Sequence, residues 1–102
     1  MNPYTFVFHA AVSEDTDGAY RWYEDKQHGL GERFLASLYH KLTEIALMPE
    51  AFGVKSKKNF REALLNDFPY VAVYKIYVKK RIIYISSVLH EKRHPKLKYR
   101  RI

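Results

Sequence analysis

The stretch from Phe68 to Pro95 constrains this chain more than any other. Two runs rich in β-branched and aromatic residues, Tyr70–Val78 and Ile82–Leu89, flank the polar break Lys79-Lys80-Arg81. Side chains in such runs alternate between faces with a period of two, and the pattern predicts a β-hairpin. The break contains neither Gly nor Asn, so a tight type I′ turn is not indicated and the turn type stays open. His90, Arg93 and His94 follow where the second strand leaves the sheet. Strand exits are a common place for working residues, and His90 is the first candidate for one.

The rest of the chain reads as support for that hairpin. Thr5, Phe6, Val7 and Phe8 favour extended structure, which predicts a strand over Tyr4–Ala11. Ser13 is a suitable helix N-cap, and Glu14 and Asp15 then place negative charge at the positive end of the helix dipole. A helix is expected to run from there to about Gln27, with Ala19, Tyr20, Trp22 and Tyr23 packed into the core. Gly18 weakens it by roughly 1 kcal/mol relative to Ala. His28-Gly29-Leu30-Gly31 reads as a stop and restart, since Gly suits the left-handed residue that ends a helix. Phe34, Leu35, Leu38, Leu42, Ile45 and Ala46 then recur with helical period between Glu32 and Met48, and Pro49 ends the run.

A connecting segment with Gly53 and the cluster Lys55, Lys57 and Lys58 follows. Phe60–Leu65 is expected as a strand because Asn66-Asp67-Phe68-Pro69 is a turn signal placed to feed the hairpin. The order is then β-α-α-β-β-β. Clustered strands argue for an α+β domain, an antiparallel-rich sheet with a helical hairpin on one face. At 102 residues, residues 1–102 form one domain with a single modest core.

Charge is unevenly placed. Residues 1–54 hold four basic against eight acidic side chains, whereas residues 55–102 hold fourteen basic against three acidic. A molecule so divided should attract phosphate backbones or acidic protein segments. No apolar run approaches the roughly 18 residues of a membrane span. The absence of Cys and of an export signal at Met1-Asn2-Pro3-Tyr4 points to the cytoplasm.

Several chemistries lack their motifs. No Gly-rich phosphate loop is present, and His9, His28 and His40 are spread without carboxylates at ligand spacing, so no metal or cofactor is expected. His9 and His40 read as half-buried structural histidines, and Ser86 and Ser87 lie mid-strand with no elbow motif. The basic, histidine-bearing half remains. A metal-free nuclease needs a base near the 2′-OH, cations for the phosphate and a general acid. Candidates are His90, His94, Lys55, Lys57, Lys58, Arg61, Arg81, Arg93 and Tyr99. Tyr74, Tyr77 and Tyr84 can stack on bases if one sheet face is open, although Tyr74 and Tyr84 read better as packing against the helices.

Read in order, these segments resemble the RelE/ParE superfamily of toxins from bacterial type II toxin–antitoxin modules, often labelled plasmid stabilisation proteins. The resemblance runs through Ala19-Tyr20-Arg21-Trp22-Tyr23-Glu24, Gly29-Leu30-Gly31-Glu32-Arg33-Phe34-Leu35, and the helix end Ile45…Pro49. It continues in Phe60-Arg61, Phe68-Pro69-Tyr70, Val73-Tyr74-Lys75-Ile76, and Val88-Leu89-His90 with Arg93 and Pro95. It implies a small α+β toxin neutralised by an acidic antitoxin encoded beside it. Members of the superfamily act in two ways. RelE-like members are ribosome-dependent mRNA endoribonucleases that use lysines, arginines and an aromatic residue or histidine. ParE-like members lack that set and poison DNA gyrase.

Ribonucleolytic relatives carry lysines on the second strand and an arginine early in the third. The corresponding positions here hold Glu62, Leu64 and Val71, none of which stabilises a phosphate. The resemblance therefore leans to gyrase. The alternative is an endoribonuclease with His90 as base or acid and Arg61 and Arg93 on the phosphate. A non-toxic nucleic-acid-binding domain is the third expectation. In each case Lys55, Lys57, Lys58, Arg81, His94 and Tyr99 are the expected target-binding residues.

Overall fold

The computed structural model describes residues 3–101; Met1 and Asn2, on which the expected absence of an export signal partly rests, lie outside the described residues. Strand β1 (Thr5–Phe8) leads into helices α1 (Val12–Lys26) and α2 (Leu30–Leu47), then a 3-10 turn at Pro49–Ala51. Strands β2 (Arg61–Leu64), β3 (Tyr70–Tyr77) and β4 (Ile82–His90) follow, and a short helix α3 (Pro95–Lys98) comes last. The domain is α+β with the expected order β-α-α-β-β-β. Its sheet order is β1-β4-β3-β2. The β2–β3 and β3–β4 pairs are antiparallel, but β1 runs parallel to β4, so the sheet is mixed. A parallel pair cannot be closed by a turn, and here everything from α1 to β3 serves as the crossover.

The hairpin forms where its pattern places it. Residues 78–81 connect β3 to β4, closed by the Arg81 N–H donating to the Val78 carbonyl at 3.1 Å, with Arg81 at φ 55°. A bulge follows one side of the pairing: Val73 faces Ser87 and Tyr74 faces Ile85, leaving Ser86 as the extra residue. The Asn66-Asp67 turn is also present, with Asp67 at φ 62°, a conformation that Asp tolerates better than most residues.

One face of the sheet meets the helices. Phe34, Leu38 and Ile45 of α2 pack with Ala63, Ala72, Tyr74, Ile83, Ile85 and Val88. Tyr74 is fully buried and donates its hydroxyl to the Pro49 carbonyl at 2.6 Å. Burial pushes this phenol up to about 12, against the opposing pull of Arg61. Tyr84 departs from the expected packing. With Ile83 and Ile85 in the core, strand alternation turns Tyr84 to the other face, where it lines a shallow hollow with Val7, Tyr77 and Ile82.

Three helix expectations are corrected. Ala11, not Ser13, occupies the N-cap of α1, and no side chain caps it. His9 has taken over this end instead: its Nδ1 accepts the Ala11 N–H at 3.0 Å, and its carbonyl accepts the Val12 N–H. Trp22 is 55% exposed, while its neighbour Tyr23 packs against the core. Adjacent helical residues point about 100° apart, so one of the two had to face away from the sheet. His40 is exposed rather than half-buried and pairs with Glu44, one turn further on.

The helices are joined through a carboxylate. Gly29, at φ 87°, takes the N-cap position of α2 without a side chain to cap it. Glu24 near the end of α1 supplies the missing acceptor, receiving the N–H groups of Gly29 (3.0 Å) and Gly31 (3.0 Å). These donors hold the Glu24 carboxyl below its ordinary range, with His28 adding to the effect.

Candidate functional site

The second face of the sheet is open only in part, around Val7, Tyr77 and Tyr84. Past β4 the chain folds back across it, and Tyr99 stacks on Phe60 (centroids 5.5 Å apart) over Val71 and Val73. The Tyr99 hydroxyl donates to Glu62. Lys98 pairs with the same carboxylate at 3.3 Å and donates to the Glu91 carbonyl at 2.6 Å. Burial and the hydrogen bond to Glu62 both push the Tyr99 phenol up. The Ser87 hydroxyl meets the Lys98 carbonyl, and Arg101 then grips Asp15 of α1 through two nitrogens, at 2.5 and 3.0 Å. Asp15 also accepts the Val88 N–H at 3.0 Å. Beyond the end of β1, this carboxylate takes the place of a neighbouring strand for β4. The tail is thus a strap across β2, β3 and β4, fixed at each side by an ion pair.

The strap covers two of the positions where ribonucleolytic relatives hold cations. Glu62 is neutralised under it and Val71 is 4% exposed; Leu64, at the edge, is half exposed. The sequence marked Tyr99 as a target-binding residue, and here its ring and hydroxyl are engaged internally.

A separate cleft opens at the end of β4, on the helix side. Gly18, Trp22, Tyr23, Pro69, Tyr70 and His90 enclose about 400 Å³. The His90 ring meets Tyr70 edge-on at 5.6 Å. Its Nδ1 accepts the Lys92 N–H at 3.2 Å, which places the proton of a neutral ring on Nε2. Burial raises the Tyr70 phenol, and Arg93 pulls it back down. Arg93 is held near by its N–H donating to the His90 carbonyl. An imidazole and a phenol therefore meet at this cleft, with the exposed Arg93 close enough for its charge to act on the phenol.

The remaining expected residues fall elsewhere. Arg61 pairs with Tyr74, four residues along β3 from Tyr70, or roughly 13 Å from the His90 row at the rise of a strand. Its guanidinium donates to the carbonyls of Phe52 (2.6 Å) and Glu50 (3.3 Å), holding the loop before β2. His94 uses Nδ1 to accept the Lys96 N–H at the start of α3. Lys55, Lys57 and Lys58 are exposed beside β2, and Arg81 lies over the Tyr4 ring at 3.9 Å. His90 and Arg93 are thus brought together, while Arg61 and the lysine cluster lie apart from them. Trp22 and Tyr70 were missed as cleft residues. The available signal was the Trp22-Tyr23 pair itself, which cannot turn both rings inward.

Residues 6–95 match the family described as the ParE toxin of type II toxin–antitoxin systems. The chain belongs to the ParE toxin family. No curated protein matches it by sequence. A solved chain described as the chromosomal ParDE toxin–antitoxin system from P. aeruginosa superposes with a TM-score of 0.73. It shares 13% identity over 85% of this chain and 95% of that one, a likeness of fold. The family and the fold agree with the order of elements above. Among the described residues no helix is long and apolar enough to cross a membrane.

Proposed function

We propose that this ParE-family toxin arrests growth in the cytoplasm by poisoning DNA gyrase and is held inactive by a cognate acidic antitoxin. One observation carries the choice of gyrase: Glu62 and Val71 lie beneath Tyr99 and Lys98, where a ribonuclease of the superfamily would present cations to an mRNA phosphate. Lys98, the cation at that place, is already held by Glu62 and the Glu91 carbonyl, and cleaving RNA there would require the strap to leave. The charge division supports the antitoxin, since the basic half is a ready surface for an acidic segment. Supercoiling assays with purified gyrase test the reading. Stoichiometric toxin should abolish supercoiling, and unimpaired supercoiling overturns it.

A ribosome-dependent endoribonuclease is the second reading, favoured by the meeting of His90 and Tyr70 at one cleft within reach of the Arg93 charge. Mapping mRNA 5′ ends after induction separates the two. New codon-phased ends that vanish in His90→Ala would establish cleavage, and intact transcripts would exclude it. Normal growth on expression would instead leave a non-toxic nucleic-acid-binding domain.

A further inference from the structure

We infer that the outer edge of β1 is a self-association surface, where a second copy of this chain adds its own β1 antiparallel to form one continuous eight-stranded sheet. β1 is the terminal strand of the sheet. The N–H groups of Thr5 and His9 donate inward to the carbonyls of Arg81 (2.8 Å) and Ile85 (2.9 Å). Backbone direction alternates along a strand, so the N–H and C=O groups of Phe6 and Phe8 point to the open edge. Proteins usually protect such an edge with Lys, Pro, a bulge or a covering loop. Thr5-Phe6-Val7-Phe8 contains neither Lys nor Pro, no strand among the described residues pairs with its outer edge, and Val7 and Phe8 are 42% and 48% exposed.

The sequence of the edge specifies its partner. Phe6-Val7-Phe8 reads the same in both directions, and an antiparallel pair related by a two-fold axis at Val7 keeps it in register. Phe6 then faces Phe8 of the second copy, and each such pair exchanges both backbone hydrogen bonds. The two Val7 residues meet in the close, non-hydrogen-bonded position between them. All four Phe rings fall on the helix face, extending the Phe6–Phe8 stack already present at 5.9 Å. The Val7 pair falls on the other face, beside Tyr84 and Tyr77.

The register, rather than charge, selects this occupant. Thr5-Phe6-Val7-Phe8 carries no charged side chain of its own, but Lys80 lines the hollow beside Val7 and Arg81 lies over the Tyr4 ring, so the basic hairpin turn stands next to β1. The pairing of two copies, each of net charge +7, should therefore tighten as salt screens these cations. A two-fold pairing of identical strands is also a closed arrangement that leaves no further copy to add at that edge.

Sedimentation velocity on the full chain over a concentration series tests this. The expected result is a shift from 12.2 kDa to twice that mass. Val7→Lys and Val7→Glu place like charges directly opposite each other, and each should weaken the dimer by about tenfold or more. Mixing the two variants should restore it. Circular dichroism checks that each variant is folded. Hydrogen exchange on the unmodified chain serves if one is not, because the Phe6 and Phe8 amides should become protected as concentration rises. A chain that stays monomeric, a dimer indifferent to Val7→Lys, or amides protected only when an acidic partner is added would each overturn the proposal.

Discussion

Two glycines of similar helical setting should respond oppositely to the same substitution. Gly18 lies inside α1, and a Cβ built there meets nothing within 4 Å. Gly18→Ala should therefore stabilise the protein by about 0.5–1 kcal/mol through helix propensity alone. At Gly31 the added Cβ would come within 2.9 Å of two Tyr20 ring carbons and the Tyr20 carbonyl oxygen. The carbonyl is backbone and cannot swing aside, so Gly31→Ala should cost about 1–3 kcal/mol, by the usual cost of overpacking. Urea denaturation of both variants measures the contrast. Tyr74 adds a pH effect. Its pKa, raised from the ordinary 10.0 to about 12 in the fold, means that the native state holds a proton which the unfolded chain releases between those values. Native stability should therefore fall as pH rises from about 10 to about 12, and Tyr74→Phe should lessen that fall. Thermal melts across alkaline pH compare the two proteins.

At the scale of elements, charged side chains join pieces that sequence patterns treat as separate. Glu24 caps α2 from the end of α1, and its carboxyl is held low by the Gly29 and Gly31 amides. A lowered native pKa makes this contribution complete above the ordinary carboxylate range and lost as pH falls through the native value. Glu24→Gln should thus destabilise the protein at neutral pH, and the difference from the unmodified chain should close in strong acid. The strap depends similarly on Asp15, whose side chain is 8% exposed and meets Arg101 at 18%. Asp15→Asn leaves the buried guanidinium without its counter-charge and should cost about 3 kcal/mol, the usual scale for breaking a buried pair. The double variant with Arg101→Met should lose much less than the sum of the single losses, and a double-mutant cycle by chemical denaturation reads this coupling. None of these links was legible beforehand, because Asp15 and Arg101 are far apart in sequence and only the folded sheet brings them together. Local signals fared better. The alternating runs placed β3 and β4 to within a residue, and the apolar stripe placed α2. They could not give the parallel β1–β4 pairing, which depends on how the helices return the chain. Nor could they identify a cap supplied by a neighbouring helix.

For the whole molecule, the division of charge was readable from the sequence, but its geometry was not. The fourteen basic residues of the C-terminal half are not one surface. Lys98 and Arg101 are turned inward to hold the strap, Arg61 supports a loop, and Arg93 stands at the His90 cleft. Lys55, Lys57 and Lys58 are exposed beside β2, and they are the group best placed to meet a polyanion. If they do so together, replacing all three by Gln should leave the fold nearly untouched, because exposed substitutions usually change stability by less than about 0.5 kcal/mol. Duplex DNA binding should weaken, and the slope of log K against log salt should become shallower by about 2.7, the counterion release expected of three lost phosphate contacts. Fluorescence anisotropy over a salt series measures that slope. A slope unchanged by the triple substitution would show that these lysines are solvated rather than bound, and the electrostatic attraction would then have to come from other exposed cations, among them Lys79 and Lys80 of the hairpin turn and Lys92 and Arg93 by the His90 cleft. One titration series therefore decides whether the flank of β2 is where this molecule meets a polyanion.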